Sequence, residues 1–291
     1  MTLHFTVLAS GSSGNASLVE SGNYGLLIDA GLGPRLLQSR LAAFGLRFER
    51  IRAVLLTHTH ADHWNDRTFK HCWRGRVVVC CHPEHHNKLV YQSLHFNKLI
   101  EAGLVLDYEA GRPITFAPGL QATPVPLDHD SGATFGFRID GQPNLFGDAP
   151  ALAYLSDLGH WRPELLDQLG EVDLLALEFN HDVFLEKTSG RPRELVARVL
   201  GDEGHLSNEQ AGQLVAALLE RAPGRLAHLV QLHLSRDCNR PHLAKAAARD
   251  VLAACGSPTA IHTSAQDRPG PRIRLEVNAA PRVIRPRLLR A

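Results

Sequence analysis

Four side chains of metal-binding type lie close together early in the chain. Residues 56–64 read LTHTHADHW, and the candidate ligands in this segment are His58, His60, Asp62 and His63. His58 and His60 stand two positions apart at the predicted end of a strand, so both side chains project from the same side. Imidazoles and a carboxylate gathered at the end of an apolar strand would be costly to desolvate without a cation. The segment therefore predicts a metal site.

The pattern H-x-H-x-D-H after a strand resembles the signature of the metallo-β-lactamase superfamily, whose other motifs follow in the expected order. These motifs are IDAG at residues 28–31, PLDHD at 126–130, LSDL at 155–158 and LHLS at 232–235. The resemblance implies two divalent ions, Zn²⁺ or Mn²⁺, with nitrogen and oxygen ligands only. One ion would bind to His58, His60 and His129, the other would bind to Asp62, His63 and His233, and Asp157 would bridge them.

Two further carboxylates belong to these motifs or lie near them. The resemblance implies that Asp29 steadies the histidine loop without binding a metal itself. Asp148 is a rival for the role of the bridging carboxylate, but Asp157 is preferred because it follows an apolar, strand-like run.

Three segments favour phosphodiester cleavage over the other reactions of the superfamily. The loop SGSSGN at residues 10–15 could bind a phosphate, with Ser12, Ser13 and Asn15 as substrate-binding residues. The segment GHLSN contains His205, which resembles the non-ligand histidine that the transfer-RNA 3′-processing nucleases use as a general acid. The segment LEFNHD contains Glu178 and His181, which could orient His205.

Taken together, these motifs resemble those of the WalJ/YycJ-type exonucleases, from Leu8 to Asn239. The resemblance implies a cytoplasmic enzyme that acts on DNA ends. The attacking group would be a hydroxide that bridges the two metals, and Asp62 would orient this hydroxide. Residues 77–86, which include Cys80, Cys81 and His82, and residues 236–239 depart from the pattern expected there.

Two other functions stay open. A small-molecule hydrolase of the same fold, such as a cyclic phosphodiesterase, lactonase or thioesterase, suits the formal net charge of +1. A metal-binding regulatory protein without catalysis is disfavoured by the intact ligand set. His82 and His86 form a further i, i+4 pair, which we interpret as structural or solvent-facing because no other ligand is evident.

Apolar patterning predicts an α/β fold, an αββα sandwich of two mixed β-sheets flanked by helices. Predicted strands are 4–9, 16–20, 24–29, 51–56, 105–108, 114–116, 121–126, 134–139, 173–178, 227–233 and 272–277, and predicted helices are 34–44, 83–102, 163–169, 191–200, 208–220 and 241–254. Residues 1–280 would form a single hydrolase domain, and residues 281–291 a basic tail.

Composition limits the setting of the protein. The five cysteines show no C-x-x-C spacing, which argues against a disulfide framework and a structural zinc ribbon. Neither a secretory signal nor a membrane-spanning run is evident, so we expect a cytoplasmic protein without a membrane partner. The expected partner is a nucleic acid, DNA above all, or a small phosphodiester.

Overall fold

The apolar strand segments form two β-sheets that pack face to face. The computed structural model describes residues 2–145 and 147–276. Over these residues the first sheet contains β1 (Leu3–Ala9), β2 (Ala16–Ser21), β3 (Tyr24–Ile28), β4 (Ile51–Leu55), β5 (Val78–Cys81), β6 (Val105–Asp107) and β14 (Ile273–Leu275). The second contains β7 (Ile114–Ala117), β8 (Leu120–Leu127), β9 (Thr134–Asp140), β10 (Ala151–Leu155), β11 (Leu174–Glu178), β12 (His228–Leu232) and β13 (Ala260–Thr263).

Helices cover both outer faces of the two sheets. They are α1 (Pro34–Ala42), α2 (Asp66–Gly75), α3 (Pro83–Gln92), α4 (Leu94–Glu101), α5 (Pro163–Leu169), α6 (Val183–Lys187), α7 (Arg193–Leu200), α8 (Asn208–Arg221) and α9 (Pro241–Ala254), with a 3₁₀ turn at Phe48–Arg50. None of the helices within the described residues is long and apolar enough to span a bilayer.

The two sheets have matching topologies, each half antiparallel and half parallel. Their strand orders are β14-β1-β2-β3-β4-β5-β6 and β13-β12-β11-β10-β9-β8-β7. In the first sheet β3, β4, β5 and β6 pair in parallel, and in the second β10, β11, β12 and β13 do so. The predicted αββα sandwich of two mixed sheets is confirmed.

Three apolar layers hold the sandwich together. Between the sheets, the ring of Phe5 meets that of Tyr154 edge-on, with centroids 6.4 Å apart. The outer face of the first sheet packs against α1, α2 and α4 through Leu37, Phe69 and Phe96. The outer face of the second packs in the same way against α5, α8 and α9.

Several predicted elements differ from those of the structure. The single helix predicted over 83–102 is wrong, because Ser93 ends α3 and caps α4 by accepting a hydrogen bond from the Phe96 amide. Helices α2 and α6 and strands β5 and β13 were not among the predicted elements. The final strand is present, and it pairs with β1 of the first sheet. The predicted basic tail at 281–291 lies outside the described residues.

The topology brings several strand ends to one edge of the sandwich. β1, β3 and β4 run in the same direction, as do β8, β10, β11 and β12. The residues that follow these ends include most of the motifs of the sequence: Ser10, Asp29, His58, His129, Asp157 and His233. The polar side chains of the motifs are thus concentrated at the edge where the apolar strands end.

Candidate metal centre

Three histidines from two loops form one half of the centre, called here the imidazole half (His58, His60 and His129). Their ligand-type nitrogens all lie within 4.8 Å of one another. His60 Nδ1 is 3.3 Å from His129 Nε2, and His129 Nδ1 donates to the carbonyl oxygen of Gly204 at 2.9 Å. His58 is fully buried, and its Nε2 has no hydrogen-bond partner among the described residues.

The other half combines imidazoles with carboxylates and is called here the ion-paired half (Asp62, His63, Asp157 and His233). The Asp157 carboxylate lies 2.8 Å from His233 Nδ1 through Oδ1 and 3.3 Å from His63 Nε2 through Oδ2. Asp62 Oδ2 lies 3.6 Å from His63 Nε2 and 3.8 Å from His233 Nε2. Because Asp157 also groups with His58, it lies between the two halves, and Asp148 does not.

Asp29 fixes the loop that carries the first four candidate ligands. Its buried carboxylate accepts from His63 Nδ1 at 2.7 Å and from the Thr57 amide at 2.9 Å, while the Thr57 hydroxyl lies 3.0 Å from it. Gly31 lets the two loops touch, since a Cβ there would overlap the carbonyl oxygen of Asp62. A carboxylate on Nδ1 orients the Nε2 of His63 toward a metal position.

Glu178 organises the opposite side of the centre. This fully buried carboxylate accepts from the backbone amides of Asp157 and Leu206 at 3.0 and 2.7 Å. It also lies 3.0 Å from His205 Nδ1 and 3.1 Å from His233 Nδ1. One carboxylate therefore orients both a candidate ligand and the candidate general acid, and the His205 ring lies 5.0 Å from that of His129 and 5.2 Å from that of His233.

The two halves differ in their preferred protonation state. Burial, followed by the proximity of His63, lowers the pKa of His58 well below its usual value. Burial and His129 lower the pKa of His60 to about 4. Burial also opposes the charged form of His63, but Asp29 and Asp157 outweigh it and raise its pKa to about 10. Without a metal, the protein environment thus favours the neutral form of His58 and His60 and the charged form of His63.

Three candidate site residues have a left-handed backbone, which only a few non-glycine residues adopt. The φ angles of Asp29, Asp157 and His233 are 60°, 63° and 52°. Each amide is held: that of Asp29 by the Leu55 carbonyl, that of Asp157 by Glu178, and that of His233 by the Ser10 hydroxyl. The surrounding hydrogen bonds thus offset backbone strain that is concentrated at the site.

Sequence reasoning missed an ion pair beside the imidazole half. Asp130 Oδ1 lies 3.5 Å from the Nε2 atoms of both His60 and His129, and the Nε of Arg198, on α7, pairs with the other carboxylate oxygen. Arg198 above all holds the pKa of Asp130 below its usual value. No signal in the sequence points to this pair, because its members are 68 positions apart.

The three predicted substrate-binding residues of the SGSSGN loop differ in their exposure. Ser12 and Ser13 are exposed, and the Ser13 hydroxyl donates to Gln266 at 3.0 Å. Asn15 is fully buried, and its Nδ2 lies 3.1 Å from Asp62 Oδ2 and 2.9 Å from His63 Nε2. Asn15 therefore contacts two candidate ligands, and its contact with the substrate stays a prediction.

His181 follows β11, three residues after Glu178. Both of its ring nitrogens are buried without a hydrogen-bond partner among the described residues. Its backbone carbonyl accepts from the Asn208 amide at 2.9 Å, so the peptide joins the start of α8. Glu178 contacts His205 directly, and the contribution of His181 to orienting His205 stays a prediction.

The donor set fits divalent metals. His58 Nε2 and His233 Nε2 are buried nitrogens that lack a hydrogen-bond partner among the described residues, and each faces other ligand-type atoms. Buried polar atoms of this kind normally have a partner, which a cation would supply here. Imidazole and carboxylate ligands suit zinc and manganese.

The chain is similar to known proteins over most of its length. The model of the family described as "Beta-lactamase superfamily domain" matches residues 24–227. An exodeoxyribonuclease WalJ of Streptococcus pneumoniae is 27% identical over 243 residues, covering 82% of this chain and 84% of that protein. An exodeoxyribonuclease YycJ of Bacillus anthracis is 26% identical over 256 residues, covering 87% and 90%.

Solved structures share the fold at lower identity. The metallo-β-lactamase fold protein YhfI of Bacillus subtilis superposes with a TM-score of 0.65 at 18% identity, covering 94% of this chain and all of that one.

Proposed function

The chain belongs to the metallo-β-lactamase superfamily, and on that premise we propose that it is a metal-dependent phosphodiesterase that acts as an exonuclease on DNA ends. The position of His205 carries this proposal. The ring lies beside one ring of each half of the centre, and the buried Glu178 holds its Nδ1 at 3.0 Å. A histidine placed in this way can protonate a leaving oxygen without being needed to hold a metal.

The residues of the two halves would hold two divalent ions, Zn²⁺ or Mn²⁺. His58, His60 and His129 would bind one ion, Asp62, His63 and His233 the other, and Asp157 both. When bound, such ions lower the pKa of a water molecule and stabilise charge on the attacking and leaving oxygens. Asp29 and Glu178 would orient the ligand imidazoles, as carboxylates beside metal-binding histidines commonly do.

His205 would act as the general acid and Glu178 as its positioning residue. Burial opposes the charged form of His205, but the adjacent Glu178 carboxylate raises the pKa of the imidazole above its usual value. With Nδ1 held by Glu178, Nε2 is the nitrogen left to donate a proton to the departing 3′ or 5′ oxygen. General acid catalysis of this kind contributes about 10²–10⁴-fold in rate.

Two other side chains would act on the substrate. Asp62 retains a partly exposed carboxylate, which can accept a hydrogen bond from the attacking water. Arg198 is about half exposed at the edge of the imidazole half, and its Nε faces Asp130, which leaves its terminal nitrogens for a phosphate. Ser12 and Ser13 are exposed on the loop after β1 and remain candidates for a neighbouring phosphate.

DNA is the favoured substrate because both named relatives are exodeoxyribonucleases and align over more than four-fifths of this chain. The formal net charge of +1 fits an enzyme that grips the strand end locally rather than a protein that coats a long duplex. Polarity of digestion would follow from which end of the strand contacts Arg198.

The test is the release of nucleotides from end-labelled duplex and single-stranded DNA with Zn²⁺ or Mn²⁺, comparing the wild type with His205→Ala. We expect the variant to retain its bound metal, measured by elemental analysis, while turnover falls by about 10²–10⁴-fold. His242→Ala, on α9 and outside the centre, serves as the control and should match the wild type.

Loss of metal from His205→Ala would contradict the general-acid function and make His205 a ligand. Hydrolysis of bis(p-nitrophenyl) phosphate without any nucleotide release would assign the centre to a small phosphodiester instead. If neither substrate were hydrolysed at saturating metal, the proposal would fail.

A further inference from the structure

A second group of ligand-type side chains lies outside the centre, at the end of the first sheet. It consists of Cys81, His86 and Asp107 and is called here the rim cluster. One ligand-type atom from each lies within 4.8 Å of the other two, and His86 Nε2 is 2.8 Å from Asp107 Oδ1. None of the three residues belongs to the ligand motifs of the metal centre.

The fold explains why these residues meet. Cys81 ends β5 and Asp107 ends β6, and the two are register partners in parallel strands, so their side chains stand next to each other on one face. Helix α3 begins two residues after Cys81 and turns back over this face, which brings His86 to the pair. The sequence showed no further ligand near His86, and the fold brings it Asp107 from β6 and Cys81 from β5.

The two neighbouring histidines, His82 and His85, form hydrogen bonds outside the rim cluster. His82 caps α3 by accepting from the Glu84 amide, and His85 Nε2 lies 2.8 Å from the carbonyl oxygen of Ala133. The His86 ring is 29% exposed and the Asp107 carboxylate 51% exposed, so both can move toward an ion. Cys81 is fully buried, which places the sulfur at the inner end of the cluster.

We propose that the rim cluster is a separate zinc site with Cys81 Sγ, His86 and Asp107 as protein ligands and water as the fourth. Zn²⁺ commonly binds sulfur, imidazole nitrogen and carboxylate oxygen in tetrahedral geometry, at about 2.3 Å to sulfur and about 2.0 Å to nitrogen. A thiolate ligand disfavours Mg²⁺, Ca²⁺ and Mn²⁺. On binding, the thiol proton passes to solvent and the sulfur binds as thiolate, so no electrons are exchanged.

An ion at the rim cluster would join β5, β6 and α3 through one ligand from each. β6 is a three-residue edge strand, and its Leu106 is 45% exposed. Short edge strands need protection against pairing with other chains. Linking Asp107 to α3 and β5 would fasten this edge. The next residue, Tyr108, donates its hydroxyl to the Leu56 carbonyl, two residues before His58, at 2.7 Å.

Cobalt substitution tests the proposal, because Co²⁺ bound to thiolate gives a near-ultraviolet charge-transfer band that nitrogen and oxygen ligands do not give. The full-length protein is titrated with Co²⁺, and bound metal is counted by elemental analysis. We expect one equivalent beyond those of the centre, accompanied by the band, and the band should persist in His58→Ala. Cys81→Ser should lose the band and that equivalent.

Two further variants guard against misfolding of the buried Cys81→Ser. His86→Gln and Asp107→Asn change partly exposed side chains and should each lose the extra equivalent while the far-ultraviolet spectrum stays unchanged. Cys255→Ser removes an exposed thiol and should retain the band. Absence of the band from the wild type at saturating Co²⁺ would overturn the proposal, as would a band lost from Cys255→Ser and kept in Cys81→Ser.

Discussion

Both halves of the metal centre contain histidines, but the imidazoles are stabilised in opposite ways. In the imidazole half the three rings crowd one another, and burial lowers the pKa values of His58 and His60. In the ion-paired half carboxylates outweigh burial, and the pKa values of His63 and His233 are raised. The protein thus buries histidine as a neutral ring on one side and as an ion pair on the other.

This difference follows from what lies behind each ring. His63 is held by Asp29 at 2.7 Å, and His233 by Asp157 and Glu178 at 2.8 and 3.1 Å. The rings of the imidazole half have weaker supports, such as the backbone carbonyl that His129 contacts. Buried charge is tolerated only where it is paired and hydrogen-bonded. We therefore expect the ion-paired half to depend on residues behind its ligands far more than the imidazole half does.

Removal of His58 should have the largest effect, because this residue groups with ligands of both halves. We expect His58→Ala to lose bound metal and to reduce nuclease activity to the assay background. Elemental analysis and nucleotide release measure the two effects. The matched control is His71→Ala, which removes an exposed ring of α2. If His58→Ala retained full metal content, the ligand assignment would be wrong.

Glu178→Gln should have the next largest effect, since one carboxylate holds both His205 and His233. Glutamine retains only one acceptor oxygen, so its N–H groups must face either the two imidazole nitrogens or the Leu206 amide. We expect turnover to fall by about 10²–10⁴-fold, as for loss of a general acid, with weakened metal binding in addition. If metal affinity stayed normal while turnover fell, Glu178 would support the general acid His205 but not the ligand His233.

Asp29→Asn tests whether the two halves hold their ions independently. Loss of a carboxylate behind a metal-binding histidine typically costs about 10–100-fold in metal affinity. We expect a loss of this size mainly for one of the two bound ions, measured by competition with a chelator, because Asp29 contacts His63 directly and is linked to His58 through the Thr57 hydroxyl. Equal weakening of both ions would mean that the halves are not independent.

The centre could be predicted from the sequence to the extent that its ligands lie in short motifs. His58, His60, Asp62 and His63 are close neighbours in the chain, and the later ligands follow strand ends that apolar patterning locates. The sandwich itself was predictable for the same reason, because strand and helix periodicity are local. The break at Ser93 was missed because a cap competes with a helical pattern that continues on both sides.

What the sequence could not indicate are contacts between distant segments that carry no motif. Asp107 reaches His86 across 21 positions, and Arg198 reaches Asp130 across 68. The burial of Asn15 was equally hidden, since a Gly/Ser loop gives no sign of which side chain turns inward. These contacts depend on tertiary packing, and we propose that the ion pair at Asp130 is the one that bears on substrate binding.

Arg198→Ala should have the smallest effect on activity, because Arg198 lies at the margin of the imidazole half and pairs with Asp130 rather than with a candidate ligand. A charge-assisted hydrogen bond to phosphate contributes about 1.5 kcal/mol or more, so we expect KM for DNA to rise about 10-fold while kcat is unchanged. The slope of log affinity against log salt concentration should fall by about 1, as for one lost phosphate contact. Arg193→Ala, at the exposed start of the same helix, should change neither quantity. A fall in kcat with KM unchanged would instead show that the pair of Arg198 and Asp130 holds His60 and His129 in place, and the imidazole half would then depend on a supporting residue after all.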